Sequence, residues 1–241
     1  FRSSGGFNLT KWSSNCLEFL RAASPEHLAP NVIEDFQENR PQRVLGVKWL
    51  PASDEYYIDT TAITAFINKD LTRRQLLKLT SSIFDPLGLT IPLILRLRIA
   101  LKDTWKQQND WDDKLNMHTL PDLVEWINEI RDFKPIAIPR NYFKDQEPAD
   151  IQLHVFNDAS EKAIASVAYL RIINCDRSLQ IRFVIGKTRV APVKRMTIPN
   201  LELQAATNGA KLANFIKREH DFEINTTFYW TDSTTVLHWI Q

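Results

Sequence analysis

The chain has 241 residues, 44% of them hydrophobic and 24% charged, with a formal net charge of +1. That length holds one large domain or two ordinary ones, and that composition excludes a disordered chain. No apolar run approaches the roughly 18 residues a membrane helix requires, since Ile91 to Leu101 is broken by Pro92, Arg96 and Arg98.

Cys16 and Cys175 form no CxxC pair, so neither a zinc site nor a disulfide framework is indicated. The start, Phe1-Arg2-Ser3-Ser4-Gly5-Gly6, has no initiator Met and no signal-peptide core. The end stops within an apolar helical pattern, so the chain reads as a fragment of a longer one. No internal repeat or low-complexity tract occurs.

In chain order, Phe7 to Trp12 predicts a short strand and Ser14 to Leu20 a helix. Arg43 to Trp49 and Glu55 to Ile58 alternate around Pro51-Ala52-Ser53-Asp54, which is a hairpin signal. Leu76, Leu77, Leu79, Thr80 and Ile83 suit one helix face, ended by Asp85-Pro86-Leu87-Gly88. The 3.6-residue period resumes over Ile94 to Trp105 and again over Leu123 to Ile130. Lys134 to Pro148, with three prolines and several charges, marks a domain boundary.

The texture then changes. Ile151 to Phe156, Ala163 to Ile172 and Gln180 to Ile185 read as strands. Pro199 to Arg218 reads as a long helix with an apolar face of Leu201, Ala205, Ala206, Ala210, Leu212, Ala213 and Ile216. Thr226 to Trp230 adds a strand and Thr234 to Ile240 a helix. Three antiparallel strands, a helix, a parallel strand and a helix make an α/β layer domain.

Three carboxylates sit where chemistry collects in such a domain. Asp158 follows the first of these strands, Asp232 follows the fourth, and Glu202 lies in the first turn of the long helix. Taken singly, an Asp after a strand is commonly a turn or helix cap, and an early helical Glu complements the dipole. Converging, they repel one another and call for divalent cations. Two ions roughly 4 Å apart can activate a water and stabilise a leaving oxygen in phosphodiester hydrolysis. From Ile151 to Gln241 there are 11 Lys/Arg against 8 Asp/Glu. Lys187, Arg189, Lys194 and Arg195 crowd into nine residues without an acid, either as a solvated loop or as a phosphate-contacting patch.

The string Leu76, Phe84-Asp85-Pro86-Leu87-Gly88, Pro92, Trp105, Trp111-Asp112 and Ile138-Pro139-Arg140 resembles Bel/Pao retrotransposon Pol polyproteins. Such segments are often called the Pao retrotransposon peptidase family. The resemblance continues through His154-Val155-Phe156-Asn157-Asp158-Ala159-Ser160, Lys187 to Pro192, Ile198 to Leu203 and Tyr229-Trp230-Thr231-Asp232-Ser233. It implies three sections. Residues 1–75 resemble the end of a reverse transcriptase palm and the start of the thumb, with the hairpin as marker. Residues 76–149 resemble a helical thumb or connection segment, and 150–241 a ribonuclease H-like domain. The implied fold class is α/β, or α+β overall: a mixed sheet with flanking helices, incomplete at its C-terminus.

The resemblance further implies metal-dependent hydrolysis of the RNA strand of RNA–DNA hybrids during reverse transcription. Asp158, Glu202 and Asp232 would hold two Mg²⁺ or Mn²⁺ ions, and Lys187 to Arg195 would lie near the hybrid backbone. Partners would be the hybrid and the polymerase and integrase portions of the polyprotein, with no membrane; the setting would be an intracellular, cytoplasmic retroelement particle. A fourth acid usual in this pattern has no counterpart before Gln241, and the polymerase Tyr-x-Asp-Asp is absent from the chain. A non-catalytic nucleic-acid-binding or scaffold role is the alternative. An aspartic peptidase is disfavoured, because neither Asp-Thr-Gly nor Asp-Ser-Gly occurs. Trp230 is expected in the core, and His154 as a packed or surface residue.

Overall fold

In a computed structural model, the described residues are 9–44, 47–61, 63, 71–83, 85–105, 110–143, 147–192, 194 and 196–240. Phe7, Asn8, Leu45, Gly46, Phe84, Arg195 and Gln241, invoked above, lie outside them. Two compact units result. One holds the chain up to Asp59 together with Lys134–Tyr142, and the other holds Thr60–Phe133 with everything from Phe143.

The first unit begins with α1 (Leu17–Ala22) and α2 (Val32–Gln37), followed by β1 (Gln42–Val44), β2 (Val47–Leu50) and β3 (Glu55–Ile58). Its sheet is antiparallel throughout and is completed by β4 (Ile136–Pro139), which pairs with β3. The β2–β3 hairpin is the expected one. Its turn ends on Asp54, in the left-handed region at φ 55°, which Asp tolerates better than most residues.

Asp54 also explains why β4 returns. Its carboxylate accepts from both Arg140 Nε (2.6 Å) and Nη2 (2.9 Å) and from Trp49 Nε1 (2.9 Å). The stretch read from sequence as a boundary thus contains a strand; four residues flanked by prolines are too few for a periodic signal. No strand forms at Leu9–Trp12, where Trp12 forms an isolated bridge to Leu28.

The second unit opens with α3 (Arg73–Ser82), α4 (Ile91–Thr104) and α5 (Pro121–Arg131). Thr72 and Gln75 form a capping box at the start of α3. Leu76, Leu79, Leu97, Leu123, Trp126 and Ile130 meet in one core, each at most 1% exposed. Between α3 and α4, the Asp85 carboxylate accepts from Leu89 N (2.9 Å), Thr90 N (2.6 Å) and Thr90 Oγ1 (2.7 Å). That fixes the turn, and Gly88 at φ +78° lies against Gly186, whose N–H donates to Leu87 O at 2.8 Å.

The strands β5 (Pro148–Ala159), β6 (Ala163–Asn174), β7 (Leu179–Val190) and β8 (Thr226–Trp230) form a sheet of order β7-β6-β5-β8. β5, β6 and β7 run antiparallel and β8 runs parallel to β5, which requires the right-handed crossover that a helix supplies. That helix is α6 (Ile198–Glu219), and α7 (Thr234–Ile240) follows β8. This is the α/β mixed sheet with flanking helices that the sequence implies.

Leu153, Val155 and Asn157 on β5 and Ser166, Ala168 and Leu170 on β6 turn inward, all buried, on the side where α6 packs. α6 meets them with Leu201, Ala205, Gly209, Leu212, Ala213 and Ile216. At Gly209 the approach is so close that an added Cβ would fall 1.8 Å from Asn157 Oδ1. Gly209→Ala therefore destabilises the chain by about 1–3 kcal/mol through overpacking, read as a drop of several degrees in thermal midpoint. An unchanged midpoint refutes the close seat.

Candidate metal and nucleic-acid site

The register of the second sheet carries Asp158, next to last in β5, to the same end as Asp232, just past β8. Glu202 is the fifth residue of α6, because the helix begins at Ile198; it stands in the second turn, not the first as expected. One carboxylate oxygen from each residue lies within 4.8 Å of the others. Asp158 and Asp232 are exposed, whereas Glu202 is only 7% exposed.

The bland readings of these acids are answered locally. Ser233 Oγ, not Asp232, accepts from Val236 N at 3.3 Å and caps α7. Asp232 is thereby left to face the other two acids. Glu202 stands too far along α6 to serve the helix dipole, whose influence fades within the first turn. Among the described residues, none of the three forms an ion pair with Lys, Arg or His.

Burial raises the Glu202 carboxyl above the ordinary glutamate value, and the charges of Asp158 and then Asp232 push it further. A hydrogen bond from the Ala159 backbone acts the other way. Glu202 Oε2 is buried and has no hydrogen-bond partner. A buried, unsatisfied carboxylate oxygen beside two exposed carboxylates is costly. Hard oxygen donors so arranged fit a magnesium or manganese ion, and the three residues could hold one.

A family model described as the Pao retrotransposon-like RNaseH-like domain matches residues 72–233. This chain belongs to that family. No curated protein matches this Pao-type domain. Among solved structures it is similar to the foamy viral protease-reverse transcriptase in complex with an RNA/DNA hybrid. That likeness has 15% identity and a TM-score of 0.41, over 82% of this chain and 25% of the other. A second similar structure, the foamy viral protease-reverse transcriptase dRH in complex with ds DNA, has 13% identity and a TM-score of 0.40. It covers 83% of this chain and 32% of its own. The Pao-type chain thus spans a quarter to a third of those proteins' length, and at that distance the likeness adds nothing to the family match.

In the Pao-type domain, Lys187 and Arg189 are exposed near the end of β7 and Lys194 is exposed beyond it. Lys187 and Arg189 line one cleft with Arg98 of α4 and Lys211 of α6. Those last two escaped sequence reasoning. They lie far from the basic run in the chain, and no local pattern marks them.

Trp230 also departs from expectation: it is 48% exposed, on the opposite face of the sheet from α6. It stacks on Phe156 and His154, with ring centroids 5.7 and 5.9 Å apart. His154 is a structural residue, as expected. Its Nδ1 accepts from Trp230 Nε1 at 3.1 Å, which leaves the proton on Nε2 facing Gln152 Oε1 at 3.4 Å.

Burial, and secondarily Arg171, lowers the His154 imidazole below its ordinary 6.5. A depressed folded value means stability is complete above about 6.5 and is lost as the pH falls toward the folded value. His154→Gln therefore shrinks the fall in thermal midpoint between pH 7 and pH 5, and an identical acid slope in the variant refutes this.

The carboxylates make a separate prediction. Millimolar Mg²⁺ or Mn²⁺ raises the thermal midpoint of the chain, by about 2.7 kcal/mol of stability at a hundred times Kd. Glu202→Gln, which removes the repulsion, melts no lower in EDTA and loses the metal-induced rise. A rise that survives in the variant places the ion elsewhere.

Proposed function

We propose that this chain hydrolyses the RNA strand of RNA–DNA hybrids during the replication of a retroelement. The observation that carries this reading is the meeting of Asp158, Glu202 and Asp232, from three separate elements, with oxygens within 4.8 Å and one of them buried and unpartnered. Membership of an RNase H-like family supports the same reading.

Asp158 and Asp232, being exposed, would hold a pair of divalent ions from the solvent side. Glu202, being buried, would hold them from the helix side and orient the attacking water. When bound, Mg²⁺ or Mn²⁺ would lower the pKa of that water and neutralise charge on the leaving oxygen. The chain's own contribution is rigidity. Asp158 is fixed by a strand paired on both sides, and Glu202 by a helix seated on that strand. Lys187, Arg189, Lys194 and Arg195 would draw the phosphate backbone toward the acids.

Within this reading, residues 1–75 correspond to the end of a polymerase palm and the start of its thumb, 76–149 to a thumb or connection segment, and 150–241 to the nuclease. The polymerase and integrase parts of the polyprotein would be neighbours, and a cytoplasmic particle the setting.

The test is cleavage of an end-labelled RNA–DNA hybrid by the whole chain in Mg²⁺ and in Mn²⁺. Loss of a residue that merely supports a metal ligand costs roughly 10–100-fold, so Asp158→Asn, which alters a ligand itself, should lose at least about 100-fold. Equal cleavage by the variant assigns the activity to a contaminant. Binding of the hybrid without cleavage by the folded protein leaves a non-catalytic module.

A further inference from the structure

The two exposed acids stand symmetrically past the end of a ladder. The last pair of the parallel β5–β8 ladder is Phe156 with Trp230, and Asp158 and Asp232 each lie two residues beyond it. From there β5 stays paired with β6 on its other side, whereas the chain leaves β8 through Thr231 toward α7. Asn157 spans the opening between the parting strands. Its Nδ2 donates at 3.4 Å to the O atom of Trp230, the last residue of β8. A side chain thereby carries the link between the two strands one step nearer the acids.

The same side chain meets the element that carries the third acid. Asn157 is buried and faces Gly209, which lies seven residues, about two turns, along α6 from Glu202. On the other flank of Asp158, the Ala159 backbone donates to the Glu202 carboxylate. β5 is thus fastened to α6 on both sides of Asp158, and to the end of β8 by Asn157. If the notch at Gly209 needed filling alone, an apolar side chain would serve. A buried amide whose Oδ1 has no hydrogen-bond partner is destabilising by comparison, and a polar task for Nδ2 accounts for its presence. We infer that Asn157 is a positioning residue of the divalent-ion site, holding the end of β8, and Asp232 with it, in register with Asp158 and Glu202. This rests on the metal-dependent nuclease reading above and adds to it the group that sets the spacing of the ligands. Asn157 acts through Asp232, not on the ion or the substrate.

The test reads the Mg²⁺ affinity of the whole chain from the rise of its thermal midpoint with Mg²⁺ concentration, beside cleavage of an RNA–DNA hybrid over the same range. Asn157→Leu keeps a side chain that fills the notch and removes the donor. Its midpoint in EDTA stays near that of the unaltered chain, while its Mg²⁺ affinity falls by about 10–100-fold, the scale on which loss of a group supporting a metal ligand is felt. Its deficit in cleavage shrinks as Mg²⁺ is raised. A doubly substituted chain decides the matter if Asn157→Leu does not fold. With Asn157→Ala and Gly209→Ala together, the methyl added on α6 enters the space vacated on β5. That chain melts above Gly209→Ala alone, yet binds Mg²⁺ as weakly as Asn157→Leu. Ile216→Val, at a buried site further along α6, lowers the midpoint and leaves Mg²⁺ affinity unchanged. Full Mg²⁺ affinity in Asn157→Leu, or its recovery in the double variant, overturns the positioning role and spares the nuclease, whose unaltered chain still binds Mg²⁺ and cuts the hybrid. An equal loss in Ile216→Val overturns it as well, by reducing the effect to general stability. A folded, unaltered chain that neither gains stability from Mg²⁺ nor cuts the hybrid overturns both.

Discussion

Everything at the carboxylate site depends on how closely α6 can lie on β5. A helix and a sheet packed through large side chains keep their backbones well apart, and Glu202 would then ride above Asp158 instead of meeting it. Here the contact stripe of α6 is Ala205, Gly209 and Ala213, with Ala205 and Ala213 fully buried. Asn157, the residue before Asp158, fills the notch that Gly209 leaves. Its Nδ2 donates to Val155 O and to Trp230 O, both at 3.4 Å, so one side chain touches β5, β8 and α6. These are weak hydrogen bonds, and Asn157 Oδ1 has no partner. The notch holds by shape more than by polar bonding, and its backbone is continuous with the first metal-binding candidate.

A second close approach ties the helical segment to the sheet. Gly88 sits where an added Cβ would fall 2.2 Å from Gly186 O, and Lys102 Nζ donates to Ala191 O at 2.9 Å. The first contact lies on β7, the edge strand that bears Lys187 and Arg189, and the second just past its end. The edge is thereby covered on one flank, which guards it against pairing with another chain. The same contact brings α4, and Arg98 with it, to the wall of the basic cleft.

The sheet domain was legible in the sequence because its elements are long. Twelve-residue strands and a 22-residue helix carry enough periods to declare themselves, though β7, read as Gln180 to Ile185, runs five residues further and takes in Lys187 and Arg189. The three acids were legible because they fall at element ends. What escaped was short or non-local. β1, three residues long, was read as one strand with β2, and β4, four residues long, gives no reliable pattern and pairs with a strand some 80 residues earlier. Trp230 was misjudged because Phe156 and Tyr169 put aromatic side chains on the open face too, so alternation could not say which side was core. Arg98 and Lys211 belong to the cleft only through tertiary packing, and Glu202 was misplaced by one turn because Ile198 precedes Pro199 into the helix.

The return of β4 has a consequence for any protease that meets this chain. Because β3 and β4 belong to one sheet while the residues between them belong to the other unit, the backbone passes between the units more than once. A single nick near Asp59 leaves only the β4 segment of the first unit covalently joined to the second, and a single nick near Tyr142 leaves the first unit joined to Thr60–Phe133 alone. Excising the first unit intact takes three cuts, near Asp59, Phe133 and Tyr142, and even then its sheet is held as two fragments by the β3–β4 hydrogen bonds and the Asp54–Arg140 clamp. Limited proteolysis of this chain should therefore cut the peptide bond well before it parts the pieces, so that fragments distinct in denaturant travel together without it.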